Sequence, residues 1–443
     1  MKIQLSDHFG YKRLLRFTMP SILMMIFTSI YGVVDGLFIS NFVDKTAFAA
    51  VNFIMPVLMI LGTVGFMFGA GGSALIAKTL GEGDRDKAQR LFSLFVYTTI
   101  VVGVILSIAT AFLIRPIAEM MGAEGLMLDY CVLYAEINLI ALPFYMLQFE
   151  FQSFFITAEK PSLNLAVTLV AGILNIILDA LFVGLLSWGV AGAAAATAIS
   201  QSLGGIIPLF YFGRKNTSLL QLTKTRFDGR ALLRACTNGS SELMSNISMS
   251  VVGMLYNVQL MHYAGENGVA AYGVLMYVNL VFLAIFIGYS VGTAPVVGFH
   301  FGAQNSDELK SLLRKSAVII GIASVSMFVL AELLGPVFSA VFVGYDKTLC
   351  DMTVRAFVVS SFSYLFSGIA IFGSCFFTAL NNGIVSAIIS FLRTLVFQVA
   401  AVLIFPLIWN LDGIWAAVVV AELMAIVLTL AFLVALRKRY KYF

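Results

Sequence analysis

Charge is scarce in this chain. Of its 443 residues only 11% are Asp, Glu, Lys or Arg, against roughly a quarter in a soluble domain. Histidine is scarcer: His8, His262 and His300 are the only three, and they fall in no zinc-ligand spacing. His8 and His262 are expected near the interfaces, solvated. The four cysteines (Cys131, Cys236, Cys350, Cys375) show neither metal nor redox spacing, so they read as small apolar filler with no disulfide framework. No G-x-x-x-x-G-K-S/T loop occurs, which leaves no nucleotide site and no ATP-driven step. Gly69, Gly71 and Gly72 lie inside an apolar run and read as a bend or a close helix approach. These absences make an intramembrane metalloenzyme, and an enzyme generally, the weakest reading.

What the chain has is apolar length. Hydrophobic residues make up 60% of it, and the mean hydropathy is +0.97. A soluble fold of this size has no means of hiding so much apolar surface, so lipid is the expected solvent. A helix needs about 20 apolar residues to cross the hydrocarbon core. Stretches of that kind centre near Tyr31, Leu61, Val102, Leu139, Leu174, Ser200, Val251, Phe282, Val325, Phe366, Val396 and Ile426. The expected fold is an all-α integral membrane protein of about twelve transmembrane helices. The first run is long and flanked by Arg13 and Arg16, unlike the short apolar core of a cleavable signal.

With the N-terminus placed in the cytoplasm, 22 of the 27 Lys/Arg fall on cytoplasmic segments. Short basic loops stay inside, so both termini are expected in the cytoplasm of a cell whose inner (cytoplasmic) membrane the chain spans. The basic balance of +4 concerns topology, and no nucleic-acid partner is expected.

The sequence repeats at half its length. Shifted by 221 residues, Phe151, Ser153, Phe155, Thr157 and Ala158 fall on Phe372, Ser374, Phe376, Thr378 and Ala379. Gly81 and Asp86 fall on Gly302 and Asp307 in loops after the second and eighth spans, Ala49 and Ala50 meet Ala270 and Ala271, and Gly189 meets Gly413 at an offset of 224. Six spans per half make the repeats parallel, related by an axis along the membrane normal. The expected organisation is an N-lobe over residues 1–220 and a C-lobe over 221–443, joined by a basic linker, with a cavity between them. Rocking of such lobes gives alternating access, the architecture of a transporter.

Ionisable residues within spans are expensive and functional by default. Asp35, Glu136, Glu150, Asp179, Glu242, Glu332, Arg393 and Glu422 are the ones to explain. Glu332 and the nearby Arg355 sit near span ends and reach the interface. Arg393 requires an acid that the sequence does not identify. Glu136 and Glu150 stand 14 residues apart, on nearly one face of the fourth helix, and either line the cavity or satisfy neighbouring hydroxyls. Asn175 and Asp179 are i,i+4 on the fifth helix. Thr197 follows the small-residue run from Gly192 to Ala196, which lets helices approach closely. Two carboxylates (Asp35, Asp179), an amide and a hydroxyl suit a hard cation such as Na⁺. Alternatively, paired carboxylates in a low-dielectric pocket carry a proton. At the repeat offsets the C-lobe positions are Met254, Val396, Ala400 and Ala421. Polar glue between helices would be expected in both lobes, a coupling site in one.

Several of these segments resemble the multidrug and toxic compound extrusion (MATE) transporters: Tyr31-Gly32-Val33-Val34-Asp35, Lys160-Pro161, Asn175-Ile176-Ile177-Leu178-Asp179, Gly189-Val190-Ala191-Gly192-Ala193-Ala194 with Thr197, and the Gly81 and Gly302 loops. The resemblance covers essentially the whole chain. It implies twelve helices in two lobes and export of cationic or amphipathic small molecules against entering Na⁺ or H⁺, with no other cofactor. It implies a cation site at Asp35, Asn175, Asp179 and Thr197. Some members carry further acids deep in the seventh span and in the tenth. Here Glu242 lies earlier in the seventh, and 356–379 has no carboxylate. Glu242 then either attracts a cationic substrate or pairs internally. Met24 and Met55, with Met19, Met25 and Met59, either line an adaptable cavity or pack in lipid and core. The partners implied are organic cations and membrane lipid, with no nucleotide. A flippase for lipid-linked or polysaccharide precursors is the competing reading, weakened because Arg393 is the one clear intramembrane cation and such substrates carry pyrophosphate.

Overall fold

The structure is a computed structural model that describes residues 3–43 and 45–442, with the backbone alone for residues 31–42 and 45. Its described residues form helices, and no strand occurs among them. The N-lobe comprises α1 (Tyr11–Phe42), α2 (Lys45–Gly81), α3 (Arg85–Met120), α4 (Gly125–Thr157), α5 (Pro161–Leu185) and α6 (Gly189–Gly213). After the linker comes a helical segment of 74 residues, Gly229–Gly302, which bends sharply at Gly265. Gly265 has φ 61° and ψ −152°, a conformation that glycine alone adopts readily. The bend makes two spans of this segment, α7 over 229–264 and α8 over 266–302. The C-lobe continues with α9 (Ser306–Val343), α10 (Lys347–Ala379), α11 (Gly383–Ile404) and α12 (Pro406–Tyr440). Eleven segments among the described residues are long and apolar enough to cross a membrane. Since Gly229–Gly302 counts as two, the fold is twelve spans in two lobes.

The half-chain repeat reappears as matching helix starts. Arg85 and Ser306 begin α3 and α9 at an offset of 221, while Gly125 and Lys347, then Pro161 and Gly383, stand 222 apart. Loop strain repeats too: Gly83 and Gln304 both take positive φ, as do Glu159 and Asn381.

The two ends of the bundle are built differently. At the end remote from the termini each lobe keeps its own core. One gathers Val51, Ile114, Tyr134, Leu139 and Val190, the other Tyr256, Phe282, Phe357, Val402 and Trp415. At the end bearing the termini and the linker, here the basic end, the lobes exchange residues. Leu5, Phe9, Leu14 and Phe17 of the N-terminal segment and α1 pack with Phe286, Leu309, Phe372 and Phe376 of the C-lobe. Reciprocally, Ala231 and Ala235 of α7 pack with Phe92, Phe151, Phe154 and Phe212 of the N-lobe.

Glycines make that exchange possible. A Cβ on Gly71 of α2 would stand 2.6 Å from the backbone nitrogen of Gly239 on α7, and one on Gly239 would run into the Met67 carbonyl. On the axis, a Cβ on Gly81 would strike the Phe299 carbonyl and one on Gly302 the Lys78 carbonyl. Gly69 is equally tight, 2.9 Å from the Cα of Glu150. Close packing, not a bend, therefore explains the α2 glycines. The N-terminal segment adds polar ties. Glu308 accepts from the Phe9 N–H at 2.8 Å and lies 2.6 Å from His8 Nδ1, while Glu159 accepts from the Leu5 N–H at 2.7 Å. The strap thus joins the α4–α5 loop of one lobe to the start of α9 in the other. This end is sealed.

Candidate functional site

Asn175 and Asp179 share the inward face of α5 and are buried, at 2% and 0% exposure. Thr197 on α6 is also buried. Helix α5 packs on α6, and α1 packs on both. The small-residue run sets the approach: a Cβ on Gly192 would lie 3.1 Å from the Phe182 backbone. Directly after Asp179 the chain widens into a π turn, Ala180–Leu185. Such turns inside α-helices are rare and gather at functional sites. Thr197 Oγ1 and Asn175 Nδ2 make no hydrogen bond among the described residues. Buried polar atoms are normally satisfied, and turning the Asn175 amide over presents its oxygen instead. One helical turn away on the same faces, a void of about 10 Å³ is lined by Thr168, Gly172, Ser200 and Gln201 with Gln148 of α4, room for one water molecule. Asp35, the fourth residue expected here, lies outside the residues whose side chains are described. Among the described residues, no group of three or more His, Cys, Asp and Glu is arranged for a metal ion.

The acids of α4 separate. Glu136 is exposed. Glu150 is fully buried in the N-lobe, beside Thr99 of α3, with neither carboxyl oxygen hydrogen-bonded. Met24 is fully buried and Met55 half-buried, whereas Met19 and Met59 are exposed. Glu150 and Met24 thus line no open space in this state.

Arg393 finds its partner in Glu422. Its Nε donates to both carboxylate oxygens, at 2.8 and 3.1 Å, in the C-lobe interior. Glu242 of α7 stands within Coulombic reach of Arg393, so two acids flank one guanidinium. Tyr256 faces Glu422 and donates to Gln398 at 2.9 Å. Arg393 itself sits in the second π turn among the described residues, Leu392–Val396, so each lobe has one π turn beside an intramembrane charge. Near the span ends, Arg355 pairs with Asp412, and Glu332 accepts from Ser361. Removing one partner of a buried ion pair typically costs about 3–5 kcal/mol. Arg393→Met is therefore expected to lower the melting temperature of the detergent-solubilised protein sharply. Arg393→Met with Glu422→Leu should recover most of the loss. A single variant that melts like wild type would mean the pair contributes nothing to the fold.

The π turn of α11 also shifts the repeat register. Helices α5 and α11 start 222 residues apart, and the turn lies between Gly383 and the positions facing Asn175 and Asp179. A π turn spans i to i+5 rather than i to i+4, so one residue more is taken up and the offset beyond it becomes 223. Asn175 then faces Gln398 and Asp179 faces Val402, instead of Val396 and Ala400. The C-lobe thus has an amide opposite Asn175 but no carboxylate opposite Asp179.

Comparison with known proteins agrees with this geometry. The MatE family model matches residues 20–181 and again 243–404, an offset of 223 at both ends. The chain is 26% identical over 434 residues to the multidrug export protein MepA of Staphylococcus haemolyticus, covering 97% of this chain and 94% of that one. It is 27% identical over 364 residues to MepA of Staphylococcus saprophyticus, covering 81% and 80%. Among solved structures it superposes with a TM-score of 0.92 on the outward-facing conformation of a multidrug resistance MATE family transporter of the MOP superfamily, at 22% identity and 98% coverage of each chain.

Proposed function

The chain belongs to the MatE family, and from that premise we propose that it is a cation-coupled antiporter exporting cationic or amphipathic small molecules across the cytoplasmic membrane, with both termini in the cytoplasm. Multidrug export is what its MepA relatives are named for. The observation that carries the reading is the buried polar face of α5 and α6. Asp179, Asn175 and Thr197 offer a carboxylate, an amide and a hydroxyl on packed helices, next to the helix that carries Asp35. That donor set suits Na⁺ or H⁺. Coupling works if the ion's occupancy alters the packing of α1 on α5 and α6 and so biases the lobes between two states. With the basic end sealed and the lobe cores separate at the other end, the cleft opens away from the cytoplasm. We divide the lobes at residue 220, within the linker.

The flippase reading finds no support at Arg393. Its guanidinium is bound to Glu422 and flanked by Glu242, which leaves it no spare charge for a pyrophosphate.

The test uses proteoliposomes loaded with a fluorescent cationic dye, with sodium and proton gradients imposed separately. Dye movement under one gradient, lost in Asp35→Asn, is the expected result and identifies the ion. No movement under either gradient with folded protein, or full movement in the variant, would overturn the proposal for that class of substrate.

A further inference from the structure

A second cavity, of about 480 Å³, opens at the basic end, away from the α5–α6 site. Lys78 of α2 contributes from the N-lobe, Arg234 of α7 and Arg439 of α12 from the C-lobe. No carboxylate lines it. Arg234 and Arg439 form no ion pair among the described residues, and Lys78 is 3.5 Å from its neighbour Glu82. Its wall holds the hydrogen bonds that tie the lobes together: Asn381 donates to the Ala74 carbonyl of α2 at 3.1 Å and accepts from Asn238 of α7 at 2.8 Å. The positive end of the α11 dipole also faces in at Gly383. Two apolar side chains of the lining, Leu233 and Ile384, are 69% and 65% exposed. Three cations without acids, amide donors and an apolar rim at the membrane surface make a receptor for a phosphate group with room for attached carbon chains.

The geometry points to a phosphate-binding site that bridges the two lobes and favours the state closed at the basic end. A phosphate held by Lys78 on one side and by Arg234 and Arg439 on the other loses partners when the lobes part at this end. Its affinity therefore differs between the two states, and that difference shifts the equilibrium. The phosphate comes either from an anionic lipid headgroup or from a free anion, and the exposed Leu233 and Ile384 suit the lipid.

The test is thermal melting of the full-length protein in nanodiscs of phosphatidylcholine, of phosphatidylcholine with phosphatidylglycerol, and of phosphatidylcholine with inorganic phosphate in the buffer. Wild type is expected to melt higher with phosphatidylglycerol. Arg234→Gln with Arg439→Gln should weaken that effect by about tenfold to thirtyfold in the lipid concentration required, at about 1 kcal/mol per basic residue. Lys224→Gln with Arg226→Gln, basic linker residues off the cavity, should keep it. If inorganic phosphate alone reproduces the shift, the site is confirmed with a free anion as its ligand. No response to either, or equal responses in the cavity and linker variants, would overturn the site. Lys78→Gln gives the same reading from the other lobe should the double variant fail to fold.

Discussion

Asp179→Asn is expected to cut gradient-driven export by at least about tenfold, the scale of a coupling free energy of 1–3 kcal/mol, while leaving the melting temperature near that of wild type. The substitution is isosteric, so the packing of α5 on α1 and α6 has no reason to change; what is lost is a fully buried charge at the last α-helical position before a π turn. A neutral amide neither titrates nor holds a cation as a carboxylate does. The measurement pairs the initial rate of dye efflux from proteoliposomes with a melting curve of the same preparation. Export at the wild-type rate would remove Asp179 from the coupling chemistry. The Glu242–Arg393–Glu422 cluster of the C-lobe would then be the next place to look. A fall in rate together with a large fall in melting temperature would mark Asp179 as structural.

The number and order of the helices were legible because lipid imposes a simple rule: each crossing takes about 20 apolar residues, and basic loops punctuate them. The half-chain repeat was legible because the loops carry its strongest matches. Gly81 and Gly302 lie at corresponding helix ends, and each faces the other's helix. The sequence did not reveal what those glycines do. Glycine is common in membrane helices, and nothing in the local pattern separates one packed against a carbonyl from one facing lipid. Gly321, with open space beside it, sits in much the same apolar company as Gly71.

Partners on different helices were hidden for the same reason. Arg393 demanded an acid, but Glu422 stands 29 residues away on the next span, and Glu242 and Glu332 were equally eligible by sequence. The repeat register failed locally, because a π turn is a backbone event with no residue signature and it displaced the comparison for Asn175 onto Gln398. Glu308 and Glu159 read as solvated loop acids. Only the path of the N-terminal segment across both loops makes them a tie between lobes. The buried face of α5 was legible in Asn175 and Asp179, since i,i+4 spacing within a span leaves little choice of face.

Gly302→Val should break the seal at the basic end. A Cβ there meets the Lys78 carbonyl well inside the roughly 3.5 Å of an ordinary contact, and the obstacle is backbone, which no rotamer change relieves. Gly81 facing Phe299 repeats the constraint from the other lobe, so helices α2 and α8 must move apart. Overpacking of this kind costs about 1–3 kcal/mol. Because the lobes have to part here in every cycle, most of that penalty falls on the closed state alone. A differential of that size shifts a two-state population by about fivefold to more than a hundredfold. Spin labels on Glu82→Cys and Gln304→Cys, exposed loop positions flanking the pair, should report a longer distance in the Gly302→Val background, with dye export falling in parallel. The same substitution at Gly321 should change neither the distance nor the rate. An unchanged distance in the Gly302 variant would show that α2 and α8 yield locally, and that the glycine contacts are packing conveniences rather than the surface on which the two states are balanced.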